Sequence, residues 1–468
     1  MRARVDAAPL IRNAGASGKA WEQQGGSGAA GTPVSSTGES GVVRRIFAGL
    51  GLLLGGKAGA GLLSLAYLSL ATRFLGPTEY GVLVLVHAYV TTVCGIIEFP
   101  AWQAVVRYGA EAQRDGQPHR LSRLLWFATK LELSAGVLAV ISAAALVPLV
   151  GPHLGWPPKA MAFAPYYALA VLGSVRSVPM GYLRLIGRFD LLGVHNLVQP
   201  LIRLGGTIIV MAFGWGIKSF LVAWLLSSLF EFGVLWAMGI WFAYRDLGPV
   251  LLRTETGDTA AENEGIWRFL VATNADLTFS DLAGRAAPLI VGWVLGPAVA
   301  GMLAVAQRAT VIIAQPAQIL GNTVYSELAH VVAAGQGGRL LRLTLIKVIA
   351  ISLLAALPVV VLVVLVPHQI SRLLAGPAFD AVAPVMTILV LARALALIGP
   401  PCSSALTALG APMRSMAANL FASLVVLLPL PFLLERYGLM GAGYQAMIQA
   451  VLGSGLLTML VWRRSLRH

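Results

Sequence analysis

The hydrophobic pattern divides the chain into long apolar segments separated by short polar connections. A helix that crosses a bilayer needs about twenty apolar residues, and none of these segments shows the alternation of a membrane β-strand. We therefore predict an all-α polytopic membrane protein with about twelve transmembrane helices. The predicted spans are residues 46–72, 80–106, 124–148, 160–183, 193–214, 219–243, 268–294, 299–324, 341–366, 379–402, 415–434 and 440–462.

An internal repeat suggests two similar halves. The stretch Leu75-Gly76-Pro77 recurs 220 residues later as Leu295-Gly296-Pro297, each time between two apolar segments, where it predicts a hairpin. The longest polar connection, 244–267, is taken as a cytoplasmic linker between an N-lobe (46–243) and a C-lobe (268–468). Because each lobe has an even number of predicted spans, we expect two parallel six-helix lobes around a central cavity, an arrangement found in transporters that work by alternating access.

Composition agrees with a membrane protein and sets its orientation. The chain is 57% hydrophobic and only 12% charged, with a mean hydropathy of +0.78. Soluble domains carry about 25% charged residues. The net charge of +14 comes mostly from residues at span ends, such as Arg107, Arg245 and Arg463, as the positive-inside rule describes. We therefore expect membrane lipids rather than nucleic acid around the chain, and both termini in the cytoplasm.

Residues 1–45 are rich in Gly, Ala and Ser and contain no apolar run that could form the core of a signal peptide. They are predicted to form a disordered cytoplasmic tail. The two cysteines, Cys94 and Cys402, both lie in apolar segments and are interpreted as core residues rather than as a disulfide or metal site.

Ionisable residues inside the spans are the candidate functional groups. Such a residue costs roughly 2.5–3.5 kcal/mol at the centre of a membrane helix. Cations outnumber acids inside the spans, which predicts a positively charged cavity suited to an anionic substrate. The candidate substrate-binding residues are Lys57, Arg203, Arg285, Arg308 and Arg393. The candidate ion-coupling residues are Glu231, Asp276 and Asp281.

Salt bridges are the structural alternative for the same residues. Arg285 follows Asp281 by four residues, a spacing that pairs an acid and a base on one helix face. The other cations could instead pair with Glu231 or Asp276 on a neighbouring helix. Both interpretations stay open from the sequence.

Enzyme motifs are missing from the sequence. It contains no Gly-rich phosphate loop with Lys, no closely spaced His and Cys ligands, and no nucleophile elbow. No cofactor is expected, and coupling to either H+ or Na+ is left open. A membrane polymerase or ligase would be expected to carry a large outside loop, whereas every predicted outside connection is short.

Several motifs together resemble one transporter family. Residues 73–81, the second hairpin followed by Arg308, and residues 437–442 are similar to the polysaccharide flippases (Wzx-type) of the multidrug/oligosaccharidyl-lipid/polysaccharide exporter superfamily. The resemblance covers about residues 45–465. It implies a flippase of the bacterial inner membrane that translocates an undecaprenyl-diphosphate-linked oligosaccharide. It also implies that cavity cations hold the diphosphate, and that a polysaccharide polymerase and glycosyltransferases of the same pathway are partners.

The sequence departs from this family in two ways. Many relatives carry an Asp in the seventh helix, where this chain has Arg285 to Gly292 without an acid, and relatives often have fourteen spans. Other transporters remain alternatives. A drug or cation antiporter of the superfamily would be expected to have acids where the first span has Lys57, and the connection 107–123 does not match the signature loop of a major-facilitator carrier.

Overall fold

The computed structural model describes residues 36–252, 257–311, 337–409 and 411–465. These ranges are almost entirely helical and contain no strand. The helices are α1 (Ser36–Ile97), α2 (Trp102–Arg114), α3 (Pro118–Ala145), α4 (Val147–His153), α5 (Pro158–Tyr167), α6 (Ser177–Leu185), α7 (Phe189–Ala212), α8 (Ile217–Leu247), α9 (Thr259–Glu262), α10 (Ile266–Leu295), α11 (297–311), α12 (Gly337–Leu365), α13 (Pro367–Ala375), α14 (Ala383–Ala396), α15 (Gly399–Ala408), α16 (Pro412–Leu427), α17 (Leu430–Tyr437) and α18 (Leu439–Ser465).

The all-α membrane fold is confirmed. Within the described residues, seven helices are long and apolar enough to cross a membrane, or eight if the pair Met413–Leu427 and Leu430–Tyr437, bent by 43°, is one span. The count of twelve spans stays a prediction. Residues 1–35 of the predicted tail lie outside the described residues, and its last part is already helical because α1 begins at Ser36.

The two predicted hairpins have the same backbone conformation. Gly76 has φ 72° and ψ 177°, and Gly296 has φ 83° and ψ 174°. A positive φ ends a helix and is adopted freely only by glycine, while the following proline is pre-organised to begin the next helix. Gly376 before Pro377 shows the same geometry, with φ 88° and ψ 173°. The Gly-Pro pair therefore stops one helix and starts another.

The two hairpins also pack against each other. A Cβ on Gly81 would overlap the carbonyl of Pro297, and a Cβ on Gly301 would lie 2.8 Å from the carbonyl oxygen of Pro77. We call this the hairpin end of the molecule. There the helices before Gly248 (the N-terminal bundle) meet those from Ile266 onward (the C-terminal bundle) through backbone contact that only glycine permits.

An arginine adds a polar contact at the hairpin end. The Arg73 guanidinium donates to the backbone carbonyls of Arg372 and Leu373 at 3.3 and 3.0 Å, in the last turn of α13. Carbonyls in the last turn of a helix have no partner inside it, and a cation there also interacts favourably with the negative end of the helix dipole. Arg73 therefore holds a helix of the C-terminal bundle against α1.

Some predicted spans are broken into shorter helices. Residues 160–183 form α5, a 3-10 segment (Ala168–Ser174) and α6 rather than one continuous helix. The buried Glu132 carboxylate accepts hydrogen bonds from the first backbone N–H groups of α6, those of Ser177 and Val178. The first N–H groups of a helix have no partner inside it. The Glu132 carboxylate supplies their hydrogen bonds, which lowers the free-energy cost of a helix break within a membrane.

The main hydrophobic core crosses from one bundle to the other. Fully buried side chains of α1 after Gly76, such as Leu83 and Val86, belong to the same cluster as Val291 on α10 and Phe379 after α13. Cys94 and Cys402 are both buried and free, as predicted. The packing therefore fixes α1, α10 and α11 side by side along the boundary between the bundles, where most of the candidate cations lie.

Candidate functional site

Arg203 is enclosed within the N-terminal bundle. It lies on α7 and is only 3% exposed, and its Nε donates to the Ser227 hydroxyl on α8 at 3.1 Å. Its guanidinium carbon is 4.2 Å from the centre of the Trp224 ring, a cation–π contact. It also contacts Tyr67 and His87 of α1. None of these partners is a carboxylate, and Arg203 forms no ion pair with a described residue.

A second arginine reaches the same place from the other bundle. The Tyr67 hydroxyl lies 3.4 Å from Arg203 Nη1 and 3.5 Å from Arg308 Nη2 on α11. Among the described residues, no carboxylate forms an ion pair with either arginine. We call Tyr67, Arg203 and Arg308 the two-arginine cluster. It places two positive charges at one oxygen, across the boundary between the bundles.

His87 extends this cluster into the N-terminal bundle in a defined tautomer. Its Nε2 lies 3.3 Å from Arg203 Nη2, and its Nδ1 lies 2.9 Å from the Tyr167 hydroxyl. Arginine has no acceptor, so Nε2 must be unprotonated and Nδ1–H donates to Tyr167. His87 is therefore neutral in this arrangement and adds no charge of its own.

The carboxylate of the candidate coupling residue Glu231 is buried and has polar partners. It is 7% exposed, forms an ion pair with Arg176, and accepts a hydrogen bond from Gln199 Nε2 at 2.7 Å. The sequence suggested a pairing of Glu231 with one of the other deep cations, whereas the structure gives it Arg176, at the break before α6. Asp276 and Asp281, the other two candidates, lie in α10 but outside the residues whose side chains are described.

Arg285 bridges the bundles. Its Nη2 lies 3.4 Å from Glu98 Oε1, and its Nη1 donates to the Thr91 carbonyl at 3.0 Å. A Cβ on Gly95 would overlap this guanidinium, so the glycine makes room for it. Arg285, Arg176 and Glu98 together line a small cavity of about 180 Å³. The Arg285 side chain thus faces α1.

Arg393 lines a larger cavity inside the C-terminal bundle. This C-terminal cavity has a volume of about 450 Å³ and lies between α10, α11, α14, α16 and α18. Besides Arg393 its polar lining consists of Gln307, Thr310, Asn419, Ser423, Gln445, Gln449 and Ser454. Amide side chains thus outnumber charged ones in the lining, an arrangement suited to ligands with many hydroxyl groups.

The five predicted cations do not meet in one cavity. Arg203 and Arg308 share the two-arginine cluster, Arg285 is paired with Glu98, and Arg393 is in the C-terminal cavity. Lys57 is exposed on α1. Their role in substrate binding therefore stays a prediction, and the structure divides them among four places.

Sequence reasoning missed the amides of the C-terminal cavity. Gln445, Gln449 and Gly453 follow each other at intervals of four residues, which places them on one face of the last helix. Uncharged amides cost less free energy to insert into a membrane than charged side chains, so a search for ionisable residues inside the spans does not find them. A polar stripe at this spacing inside an apolar span was the signal that could have revealed them.

Comparison with known proteins gives a family match. Residues 70–384 match the model of a family described as polysaccharide biosynthesis protein. The chain is also similar to the inner membrane protein YghQ of Escherichia coli (strain K12), with 29% identity over 271 residues. That alignment covers 57% of this chain and 75% of YghQ.

Solved structures of transporters share the fold. An inward-facing multidrug resistance MATE family transporter of the MOP superfamily superposes with a TM-score of 0.68 at 16% identity, covering 86% of this chain and 95% of that one. The lipid II flippase MurJ in an inward closed conformation gives 0.64 at 14% identity, covering 88% of each chain. A MOP superfamily transporter from Pyrococcus furiosus gives 0.62 at 16% identity, with 90% and 96% covered. At these identities the likeness shows the fold alone.

Proposed function

Because the chain belongs to the polysaccharide biosynthesis protein family, we propose that it is a flippase for an undecaprenyl-diphosphate-linked oligosaccharide. It moves this lipid across the inner membrane by alternating access of the two bundles. The charge bias of the sequence favours an orientation with the hairpin end at the outer face and both termini in the cytoplasm. The polymerase and glycosyltransferases of the same pathway are its proposed partners.

The two-arginine cluster is the observation that carries this proposal. Two guanidinium groups from opposite bundles meet at the Tyr67 hydroxyl, and no described carboxylate pairs with either of them. Uncompensated charge in a membrane interior is unfavourable and marks a functional site. A diphosphate entering between the bundles would compensate both charges, and guanidinium groups bind phosphate oxygens through two parallel hydrogen bonds.

The position of the cluster suggests how binding is linked to movement. Arg203 belongs to α7 and Arg308 to α11, so a diphosphate that contacts both holds the two bundles together. Rocking of one bundle against the other separates the arginines and weakens the site. A bound headgroup is therefore released when the cavity opens to the other side, which is what alternating access requires.

The coupling ion is part of this proposal. Glu231, Asp276 and Asp281 remain the candidate residues, with H+ or Na+ as the ion. In the conformation described here Glu231 is paired with Arg176 and hydrogen-bonded to Gln199. For it to bind an ion, the pair with Arg176 must open first, so coupling through Glu231 requires a rearrangement at the break before α6.

Flipping in proteoliposomes tests the proposal. The probe is a fluorescent polyprenyl diphosphate carrying a disaccharide, and a quencher added outside reports the fraction in the outer leaflet. We expect Arg308→Ala to lower the initial rate at least about tenfold, because a charge-assisted hydrogen bond contributes roughly 1.5–3 kcal/mol. Arg308→Lys, which keeps the charge but not the planar fork, should retain part of the rate.

Arg436→Ala is the matched control. Arg436 is exposed on α17 and contacts only the Tyr437 ring among the described residues, so its removal should leave flipping unchanged. Wild-type flipping rates in Arg203→Lys and Arg308→Ala, with normal amounts of folded protein, would contradict the proposal. Export of a cationic dye without any lipid flipping would favour the antiporter instead.

A further inference from the structure

The C-terminal cavity contains polar groups that the two-arginine cluster does not use. It is separated from the cluster by α11, whose neighbouring residues Gln307 and Arg308 differ in direction by about 100° around the helix. Gln307 lines the cavity and Arg308 reaches Tyr67. One helix thus contributes to two distinct polar sites.

Several amides of the cavity have unused hydrogen-bonding capacity. Gln445 Nε2 donates to Gln449 Oε1 at 3.0 Å, and Gln449 Nε2 donates to the Ser423 hydroxyl at 3.1 Å. Gln445 is 6% exposed, and its carbonyl oxygen accepts no hydrogen bond from a described residue. The Asn419 side chain is exposed and has no hydrogen-bond partner within the described ranges. A buried amide oxygen without a donor costs free energy in a membrane interior, so Gln445 favours a polar occupant of the cavity.

The charge of the lining restricts what this occupant can be. Arg393 is the one charged side chain among the described residues that line the cavity, and it pairs with no described carboxylate. A cationic ligand would be repelled, whereas neutral hydroxyls or a carboxylate would be accepted. Small residues complete the wall, including Ala392, Ala396, Ala422 and Gly453, and leave flat apolar patches between the amides.

The volume of about 450 Å³ lies within the roughly 300–1,000 Å³ typical of small-molecule sites. A pyranose ring presents hydroxyls around its edge and C–H groups on its faces. Amides with free donors and acceptors, flat alanine and glycine surfaces, and one arginine match these features one by one. We propose that the C-terminal cavity is a glycan subsite, which binds sugar hydroxyls through its amides and an acidic sugar through Arg393.

This inference rests on the proposed function, because it assumes that the diphosphate and the sugars of one substrate bind at two different sites. The diphosphate lies at the two-arginine cluster and the first sugars lie in the C-terminal cavity. The apolar tail needs neither and remains in the lipid. Affinity for the sugar and affinity for the diphosphate are therefore separable by mutation.

Equilibrium binding to the purified full chain in nanodiscs tests this separation. The three probes are undecaprenyl diphosphate alone, the same lipid carrying a neutral hexose disaccharide, and the same lipid carrying a disaccharide that ends in a hexuronic acid. We expect wild type to bind both glycosylated probes at least about tenfold more tightly than the bare lipid, equivalent to one or more additional hydrogen bonds to a buried polar group.

Variants of the cavity should remove this gain without affecting the bare lipid. Ala422→Leu fills the cavity and should remove the gain for both glycosylated probes. Asn419→Ala deletes an amide that has no described partner, so it should fold normally and reduce the gain by about threefold or more. Arg393→Gln should weaken binding of the probe that ends in a hexuronic acid and leave binding of the neutral disaccharide probe unchanged. Ala417→Leu, exposed on the same helix and outside the cavity lining, is the matched control.

The outcomes distinguish the inference from the function on which it rests. Equal affinity of wild type for all three probes, or a gain that persists in Ala422→Leu and Asn419→Ala, would overturn the glycan subsite. Weaker binding of all probes, including the bare lipid, in Arg308→Ala would at the same time support the proposed function. Unchanged binding of the bare lipid in Arg308→Ala would count against the function itself.

Discussion

The two bundles differ in the surroundings of their deep polar side chains. In the N-terminal bundle the deep charges Arg203 and Glu231 each have several partners within hydrogen-bonding distance. In the C-terminal bundle the amides and Arg393 surround an open cavity. The cost of placing these side chains in a membrane is thus offset by internal partners for Arg203 and Glu231, whereas Arg393 and the amides border space for a ligand. This contrast predicts which substitutions affect stability and which affect binding.

The largest difference should appear between two arginines. We expect Arg203→Ala to lower the free energy of unfolding by about 3 kcal/mol, because Tyr67, His87 and Ser227 lose a buried partner. Arg393→Ala should change it by no more than about 0.5 kcal/mol, since Arg393 borders a cavity and has no described ion pair. Thermal unfolding in detergent measures both, and equal destabilisation by the two substitutions would remove the contrast between the bundles.

The contact between the bundles is a second place to test the comparison. Gly81→Ala should cost about 2 kcal/mol, because a Cβ there overlaps the Pro297 carbonyl and a backbone cannot shift as a side chain can. Gly61→Ala, in the part of α1 before Gly76 and with nothing within 4 Å of the added Cβ, should be neutral or slightly stabilising. Thermal unfolding of the pair gives the measurement, and identical shifts would show that the hairpins do not touch.

Neutralising Glu231 should have a moderate effect. Glu231→Gln keeps an acceptor for Gln199 but loses the charge opposite Arg176, which is partly exposed and can turn toward water. We expect a loss of about 1–2 kcal/mol. Asn419→Ala in the C-terminal bundle provides the comparison and should leave unfolding unchanged. A larger effect of Asn419→Ala than of Glu231→Gln would contradict the contrast between paired side chains in the N-terminal bundle and cavity-lining side chains in the C-terminal bundle.

The smallest effect is expected at the Arg285 ion pair. Glu98→Gln removes a contact of 3.4 Å between side chains that are 22% and 32% exposed. Ion pairs with this access to solvent contribute about 0.2–1 kcal/mol, and salt screens them further. The change in melting temperature should therefore be small and should shrink as the salt concentration rises. A large, salt-independent change would contradict this description of a solvent-accessible ion pair.

The sequence predicted the local geometry well. Gly76 and Gly296 were identified from a repeat of a few residues, and the structure gives them nearly the same dihedral angles. This succeeded because a Gly-Pro pair encodes its conformation locally, through a positive φ followed by a fixed one. The buried positions of Cys94 and Cys402 followed in the same way from their apolar surroundings.

Partners of charged residues could not be predicted, because they depend on packing between distant segments. Arg285 contacts Glu98 on α1, a carboxylate 187 residues earlier in the chain. Glu231 pairs with Arg176, 55 residues away, at the break before α6. That break depends in turn on the Glu132 carboxylate of α3, which nothing near Ser177 in the sequence reveals.

The hairpin contact has a consequence for the order in which the protein forms. Arg308 is 241 residues after Tyr67, and the backbone against which Gly81 packs is comparably far along the chain. During synthesis the first bundle is therefore inserted with its glycine face uncovered, until the second hairpin reaches the membrane. The last step of assembly is then the docking of two nearly finished halves. Variants at Gly81 or Gly301 should consequently accumulate as chains with both halves inserted but not joined, sensitive to protease in the connection 244–267.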